Sequence, residues 1–128
     1  MLNKKVTLIL SGVSFGIIAL AASPALAGYG AIAYSRTTGA WGRATNNSQE
    51  DLAQSSALLH CNTNTEDRDC AIEVRIENQC GALARKNDNS NFVTSGFAQD
   101  RSDAGNEAIA ACGDNCQLVT SVCSWDDY

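Results

Sequence analysis

The sequence is poor in the residue types that commonly carry enzyme chemistry. Its 128 residues include one histidine, His60, and residues 28–128 contain no G-x-S-x-G segment, the nucleophile motif of many serine hydrolases. A base–nucleophile pair of His60 with Ser55 or Ser56 is the catalytic alternative. The position of His60 near the end of a predicted helix instead favours contact with the last helix carbonyls. We therefore predict no catalytic residue, no cofactor and no enzyme activity.

Metal-binding patterns are also scarce. Zinc sites use closely spaced pairs such as C-x-x-C, and the six cysteines form no such pair. The loop acids Glu66, Asp67 and Asp69, or Asp88 among its asparagines, offer oxygen atoms that suit calcium. Neither loop has the spacing of an EF-hand. We interpret these charges as solvated and predict no metal site.

Positive charge is limited. The chain has nine Lys and Arg against 14 Asp and Glu, a formal net charge of −5. Because Lys4 and Lys5 precede residue 28, seven basic residues remain against the same 14 acids, which gives −7 for residues 28–128. Binding to phosphate backbones or anionic membranes depends on Lys and Arg. The sequence therefore predicts no nucleic-acid partner.

The N-terminal segment has the three parts of a secretory signal peptide. Lys4 and Lys5 give a basic start, the run 6–22 is apolar, and the small residues Ala25 and Ala27 mark a cleavage site. An uncleaved membrane anchor is the alternative, although the apolar run is at the lower limit for spanning a bilayer. We predict a signal peptide over residues 1–27, cleavage near Ala27, and one secreted or periplasmic domain over 28–128 without a stable membrane anchor.

Six cysteines follow the predicted cleavage site. An even number in a small exported chain is typical of a disulfide framework, so we predict three disulfides. The cysteines are Cys61, Cys70, Cys80, Cys112, Cys116 and Cys123.

The mature part contains two similar stretches, 29–77 and 80–123. Gly30-Ala31-Ile32-Ala33 corresponds to Gly81-Ala82-Leu83-Ala84. Each is followed by a second strand pattern, a helix pattern with Ser48 or Ser102 as the expected cap, and a strand beginning near a cysteine. Chance similarity of Ala- and Gly-rich runs is the alternative. The clearest strand signal is the alternation of Ile72, Val74 and Ile76 with charged residues, and Phe92 and Phe97 are expected in the core.

These patterns predict an α+β fold. Two tandem strand-strand-helix-strand repeats would form a mainly antiparallel sheet of about six strands, with both helices on one face. Equivalent cysteines in the repeats should form equivalent bonds, which predicts Cys61–Cys70 and Cys112–Cys116. Cys80 and Cys123 remain, and their bond would join the two halves.

Three aromatic residues are candidates for partner binding. Trp41 lies in the first predicted hairpin, Tyr34 in the first strand and Trp125 in the acidic tail. Exposed aromatic side chains often anchor protein or sugar partners. The alternative is that Trp41 covers the sheet and Trp125 closes its end.

The mature part also resembles a known family. Tyr29–Ser35 reads YGAIAYS directly after the signal peptide, and a TGxWG segment, a helix ending in cysteine and a C-G-A-L-A block follow. This pattern, from Tyr29 to about Cys123, is similar to a family of exported bacterial proteins classed as a domain of unknown function, which includes secreted mycobacterial proteins. The resemblance implies export and a shared architecture. It implies no reaction and no catalytic residues.

The expected function is a small, secreted, disulfide-rich binding or interaction module without catalytic activity, for an unknown protein or carbohydrate partner. One alternative is an inhibitor of a secreted hydrolase that inserts the turn 37–41. Another is a small hydrolase that uses acidic residues.

Overall fold

Strands and helices follow the same order in both halves of the chain. The computed structural model describes residues 28–127, so the predicted signal peptide lies outside the described residues. The elements are β1 (Tyr29–Tyr34), β2 (Trp41–Asn47), α1 (Glu50–Asn62), β3 (Ala71–Glu77), β4 (Cys80–Lys86), β5 (Asn89–Ala98), α2 (Arg101–Cys112) and β6 (Cys116–Cys123). Neither of these helices is long and apolar enough to cross a membrane. The α+β class is confirmed.

The six strands form two antiparallel sheets of three strands, in the orders β2-β1-β3 and β5-β4-β6. We call β1, β2, α1 and β3 the first unit, and β4, β5, α2 and β6 the second unit. The sequence predicted one sheet with both helices on one face. Each helix instead packs on the sheet of its own unit, and the two sheets face each other.

The central strands explain this arrangement because both of their faces are buried. Ala31 and Ala33 of β1 pack against α1, whereas Ile32 and Tyr34 face the second sheet. In β4, Ala82 and Ala84 pack against α2 and Leu83 faces the first sheet. A strand buried on both faces reads as a continuous apolar run. The order of layers is therefore helix, sheet, sheet, helix.

Neither helix is capped by the predicted serine. The cap of α1 is Gln49, whose side chain forms no capping hydrogen bond. The cap of α2 is Asp100, whose carboxylate accepts hydrogen bonds from the backbone N–H groups of Ser102 and Asp103. The predictions of Ser48 and Ser102 as caps were therefore wrong. Asp is as effective as Ser at this position because its oxygen reaches the same free N–H groups.

The three disulfides are Cys61–Cys70, Cys112–Cys116 and Cys80–Cys123. This is the pairing expected from equivalent positions. The role expected for the third bond was wrong, because Cys80 and Cys123 are directly opposite each other on β4 and β6. The bond therefore lies within the second sheet and does not join the two units.

Apolar packing between the sheets holds the units together. The buried residues of this layer come from both units: Ile32, Tyr34, Val74, Ile76, Leu83 and Val122. Hydrogen bonds at the edges of the layer support it, such as Asn46 N–H to the Ser124 carbonyl at 2.7 Å. The expectation that Phe92 and Phe97 lie in the core was wrong, since these side chains are 43% and 40% exposed.

Candidate functional site

Tyr34, a predicted partner-binding residue, is buried between the two sheets. Its side chain is 0% exposed, and its hydroxyl donates a hydrogen bond to the Ser90 carbonyl at 2.9 Å. The burial follows from the position of Tyr34 on β1, where alternate residues face the second sheet. The prediction for Tyr34 is corrected: this residue connects the two units and offers no surface to a partner.

Trp41 begins β2 and is half-buried. The Arg43 guanidinium carbon lies 5.8 Å from the centre of the Trp41 ring, and the His60 ring centre lies 6.4 Å from it. Trp41 also packs against the layer between the sheets. It therefore covers the end of this layer while part of the indole remains accessible.

His60 protects the free edge of β2. Its Nδ1 accepts a hydrogen bond from the Arg43 N–H at 3.0 Å, and the Nδ2 of Asn64 donates to the Trp41 carbonyl at 3.2 Å. These backbone groups would otherwise be unpaired at the edge of the sheet. The Nδ1 of His60 is therefore engaged by the backbone of β2, and it also lies 3.2 Å from the Arg43 carbonyl oxygen.

The two serines near His60 do not complete a catalytic pair. The Ser55 hydroxyl donates to the Asp51 carbonyl within α1 at 2.8 Å. Ser56 and His60 both line a shallow cavity of about 350 Å³, but no hydrogen bond joins them in the described part of the chain. His60 therefore contacts the backbone of β2 and not the hydroxyl of either serine.

The turn between β1 and β2 is fixed by one carboxylate. Asp69 accepts hydrogen bonds from the buried Ser35 hydroxyl at 2.7 Å and from the Thr37 hydroxyl at 2.5 Å. The bond from Thr37, followed by that from Ser35, lowers the pKa of Asp69 below its ordinary value of 3.8. Thr38 in turn donates to the Ser35 oxygen at 2.9 Å. The turn is therefore rigid, and Asp69 is held as an anion.

The acidic side chains of the loops do not cluster as metal ligands within the part of the chain that the structure describes. Among residues 28–127, no group of three or more His, Cys, Asp or Glu side chains is arranged to hold a metal. Asp69 is engaged with hydroxyl groups, while Glu66, Asp67 and Asp88 are exposed.

Trp125 stands on a tail that is firmly attached to both units. The side chain of Trp125 is 45% exposed. Its neighbour Asp126 accepts hydrogen bonds from Arg101 Nη2 at 2.6 Å and from the Cys123 N–H at 2.7 Å. The Asp126 carbonyl accepts another from the Thr45 hydroxyl at 2.8 Å. An exposed aromatic ring is therefore presented from a fixed backbone.

A groove runs between α2 and β6, beginning near this tail. Its volume is about 700 Å³, and its apolar surface comes from Gly105, Ile109 and Leu118. Leu118 is 44% exposed. Asp100, Arg101 and Asn106 give the groove a polar rim.

Sequence reasoning missed this groove. Gly105 is buried on α2, one residue after Ala104, and the corresponding position after Ala53 of α1 is Gln54. A Cβ at Gly105 would lie 3.3 Å from Leu118 Cδ2. An isolated glycine inside a helix pattern costs stability. Gly105 was therefore the feature of the sequence that could have indicated a groove on α2.

Comparison with known proteins identifies one family. No curated protein and no solved structure matches the chain. The family model described as Domain of unknown function (DUF4189) matches residues 29–123, which include both units. The resemblance to a family of unknown function is thereby confirmed, and the chain belongs to the DUF4189 family.

Proposed function

We propose that the mature chain is an exported, non-catalytic binding module. It receives an apolar side chain of a protein partner in the groove between α2 and β6. The observation that carries the proposal is the groove itself, where Leu118 remains 44% exposed beside Gly105. Binding sites are typically concave and apolar with a few polar groups at defined positions, and this groove has that composition.

The groove is fixed at both ends. At one end, the Cys112–Cys116 disulfide joins the end of α2 to the start of β6. At the other, the Ser121 hydroxyl donates to the Arg101 carbonyl at 2.7 Å. A site that is already ordered loses less conformational entropy on binding. This rigidity favours recognition of a partner with little rearrangement of the module.

A protein partner suits the groove better than a carbohydrate. The floor consists of aliphatic side chains and a glycine, and this surface matches a Leu-, Met- or Phe-sized side chain. Trp125, near the end of the groove, adds an exposed ring of the kind that is enriched at protein interfaces. Residues 28–128 carry a formal charge of −7, which favours a neutral or basic partner.

Export is part of the proposal. The basic start, apolar run and Ala25-x-Ala27 site support a signal peptide, and three disulfides suit an oxidising compartment. Intact mass measurement tests it: a chain recovered from the periplasm or medium should begin at Gly28 and contain no free thiol. A secreted chain that retains residues 1–27 would contradict the cleavage site.

The rigid β1–β2 turn favours a second candidate, an inhibitor of a secreted hydrolase. Arg36 and Thr37 are exposed on a turn held by Ser35, Thr37 and Asp69. Inhibitor loops benefit from such order.

Affinity capture from the culture medium of the organism that produces the protein tests the binding proposal. The bait is the disulfide-bonded chain, compared with Leu118→Asp, which places a charge on the floor of the groove. Leu59→Asp is the matched control, since Leu59 is 68% exposed on α1 and distant from the groove. A partner retained by wild type and Leu59→Asp but lost with Leu118→Asp supports the proposal. Equal capture by all three baits would refute it.

A further inference from the structure

Each three-stranded sheet has two outer strands, and their free edges differ. On β2, His60 accepts the Arg43 N–H and Asn64 donates to the Trp41 carbonyl. Side chains from α1 and the loop that follows it therefore cover the outward backbone groups of this strand. Unpaired edges are templates for pairing with another chain, and covering them is a common protection.

β3 and β6 are interrupted by bulges. The pairing of β1 with β3 shifts at Glu73, between Ile72 and Val74. The pairing of β4 with β6 shifts at Val119, between Leu118 and Thr120. Such bulges bend a strand and disrupt the regular ladder. β3 also carries charged side chains, which oppose edge-to-edge pairing.

β5 has a register shift only near its start, between Asn89 and Val93, where Tyr34 and Arg36 donate to the Ser90 and Asn91 carbonyls. Its residues from Val93 to Ala98 pair with β4 without a register shift. The whole strand, Asn89–Ala98, contains no charged residue and no proline. The exposed side chains of Phe92 and Phe97 add apolar surface to it. From Val93 to Ala98, β5 is thus a regular, uncharged outer strand.

The contrast with β2 has a local cause. His60 precedes Cys61 at the end of α1, and the equivalent residue before Cys112 at the end of α2 is Ala111. The loop from α1 to β3 is also longer than the loop from α2 to β6, and it supplies Asn64. The second unit therefore has no side chain in place of either covering group.

Strand geometry determines which backbone N–H and C=O groups of β5 point away from β4. On β2 the outward residues, Trp41 and Arg43, alternate with Gly42, which faces α1. On β5, Gly96 faces α2 in the same way. A crossover between parallel strands of one sheet has a single hand, so the two units have equivalent geometry. The N–H and C=O groups of Val93, Ser95 and Phe97 consequently point away from β4.

We propose that β5 pairs antiparallel with β5 of a second copy of this chain, about a two-fold axis at Ser95. Ser95 would exchange two backbone hydrogen bonds with its counterpart. Val93 would be opposite Phe97 of the second copy, and Phe97 opposite the second copy's Val93. Pairs of an aromatic with a β-branched residue are favourable across strands, and the small Ser95 leaves space at the axis. The β5-β4-β6 sheets of the two copies would then form one six-stranded sheet.

A second copy fits this edge because β5 lacks charge. In a symmetric interface each residue near the axis meets itself or a near neighbour, so a charged strand would repel its own copy. The remainder of the molecule is acidic, with a charge of −7 over residues 28–128. An uncharged strand is therefore the region where two copies approach without direct repulsion.

Sedimentation equilibrium of the purified disulfide-bonded chain, from micromolar to millimolar concentration, tests the proposal. We expect a reversible dimer. Ser95→Lys should weaken it by about tenfold or more, because the two added charges would lie a few ångströms apart. Phe97→Glu provides a second disruption if Ser95→Lys folds poorly. Leu59→Lys adds the same charge on α1 and should leave the dimer unchanged.

Amide hydrogen exchange locates the interface. In the dimer, exchange at Ser95, Val93 and Phe97 should slow as concentration rises, whereas exchange at Arg43 should not change because His60 already accepts that N–H. A monomer at millimolar concentration overturns the proposal. So does a dimer that persists in both Ser95→Lys and Phe97→Glu, or one without protection at Ser95. Leu118→Asp should still dimerise, so a failure of the binding proposal can be distinguished from a failure of the dimer proposal.

Discussion

Gly42 and Gly96 each lie where an outer strand closely approaches the helix of its own unit, Gly42 at the last turn of α1 and Gly96 near the middle of α2. A Cβ on Gly42 would lie 2.2 Å from the Cys61 nitrogen, and a Cβ on Gly96 would lie 2.3 Å from the Ala108 nitrogen. Both distances are to helix backbone, which cannot move aside as a side chain can. Helix and sheet therefore pack without any side chain between them at these points.

Replacing either glycine by alanine should separate a helix from its sheet. We expect Gly42→Ala and Gly96→Ala each to lower the free energy of unfolding by about 3 kcal/mol, since overpacking at a backbone contact strains the core. Urea denaturation followed by circular dichroism measures the change. A loss of only a few tenths of a kcal/mol would show that the helices shift without cost.

Removal of the Cys80–Cys123 disulfide should destabilise the chain most. This bond has a sequence separation of 43, against 9 for Cys61–Cys70 and 4 for Cys112–Cys116. In the chain-entropy model the expected losses are about 4 kcal/mol for the long loop and roughly 2 to 3 kcal/mol for the short ones. Thermal unfolding of the three paired Cys→Ala variants gives the ranking. A larger loss at either short loop would contradict it.

The limits of sequence reasoning are visible in particular strands. β3 and β6 begin next to Cys70 and at Cys116, as the sequence predicted for strands that begin near a cysteine. The prediction that Phe92 and Phe97 are buried was wrong, because an apolar residue on an outer strand is buried only if another element covers that edge. The pairing of strands into two sheets also depends on contacts distant in sequence. The continuous apolar runs of β1 and β4 did contain the signal for burial on both faces.

The same limit applies to the candidate site. Sequence patterns selected Trp41 and Trp125 for their residue type, and the structure leaves both partly accessible. The groove depends instead on the absence of a side chain at Gly105. A glycine in a helix pattern does not reveal what packs above it, so the contact with Leu118 was not predictable.

His60→Ala should expose the edge of β2. The variant removes the acceptor for the Arg43 N–H, and we expect a loss of about 1 kcal/mol in stability, the usual contribution of one hydrogen bond. Amide exchange at Arg43 should become faster. Ser55→Ala, a change on the same helix whose hydroxyl bonds only within α1, should leave exchange at Arg43 unaltered. Unchanged protection of Arg43 in His60→Ala would refute the edge-covering role.

Asp69 should make stability depend on acid pH. Hydrogen bonds from Thr37 and Ser35 lower its pKa below the ordinary value of 3.8 in the folded chain. The folded state therefore favours the anion, so the stabilisation is present above pH 3.8 and is lost as pH falls through the folded pKa. Urea midpoints measured from neutral to acid pH should show wild type more stable than Asp69→Asn, with the difference closing at low pH.

Asp67→Asn is the matched control for that titration. It removes the same charge two residues earlier, where the carboxylate is exposed. Its stability should follow wild type across the acid range. A difference between wild type and Asp69→Asn that stays constant down to the most acid pH would mean that the hydroxyl contacts do not favour the anion.

Gly105→Gln should separate folding from binding. The change gives α2 the residue that α1 has at the equivalent position, Gln54. Its Cβ would meet only the end of the Leu118 side chain, at 3.3 Å, and this exposed side chain can move. Replacing a helical glycine by a better helix former gains up to about 1 kcal/mol. Stability should therefore stay level or rise, while the new side chain fills the groove and partner capture falls.

Gly105→Ala should show the same stability gain with a smaller loss of capture. Because most variants that abolish binding also weaken the fold, a rise in stability together with lost capture would assign the groove to recognition. Full capture by Gly105→Gln would mean that the partner binds elsewhere.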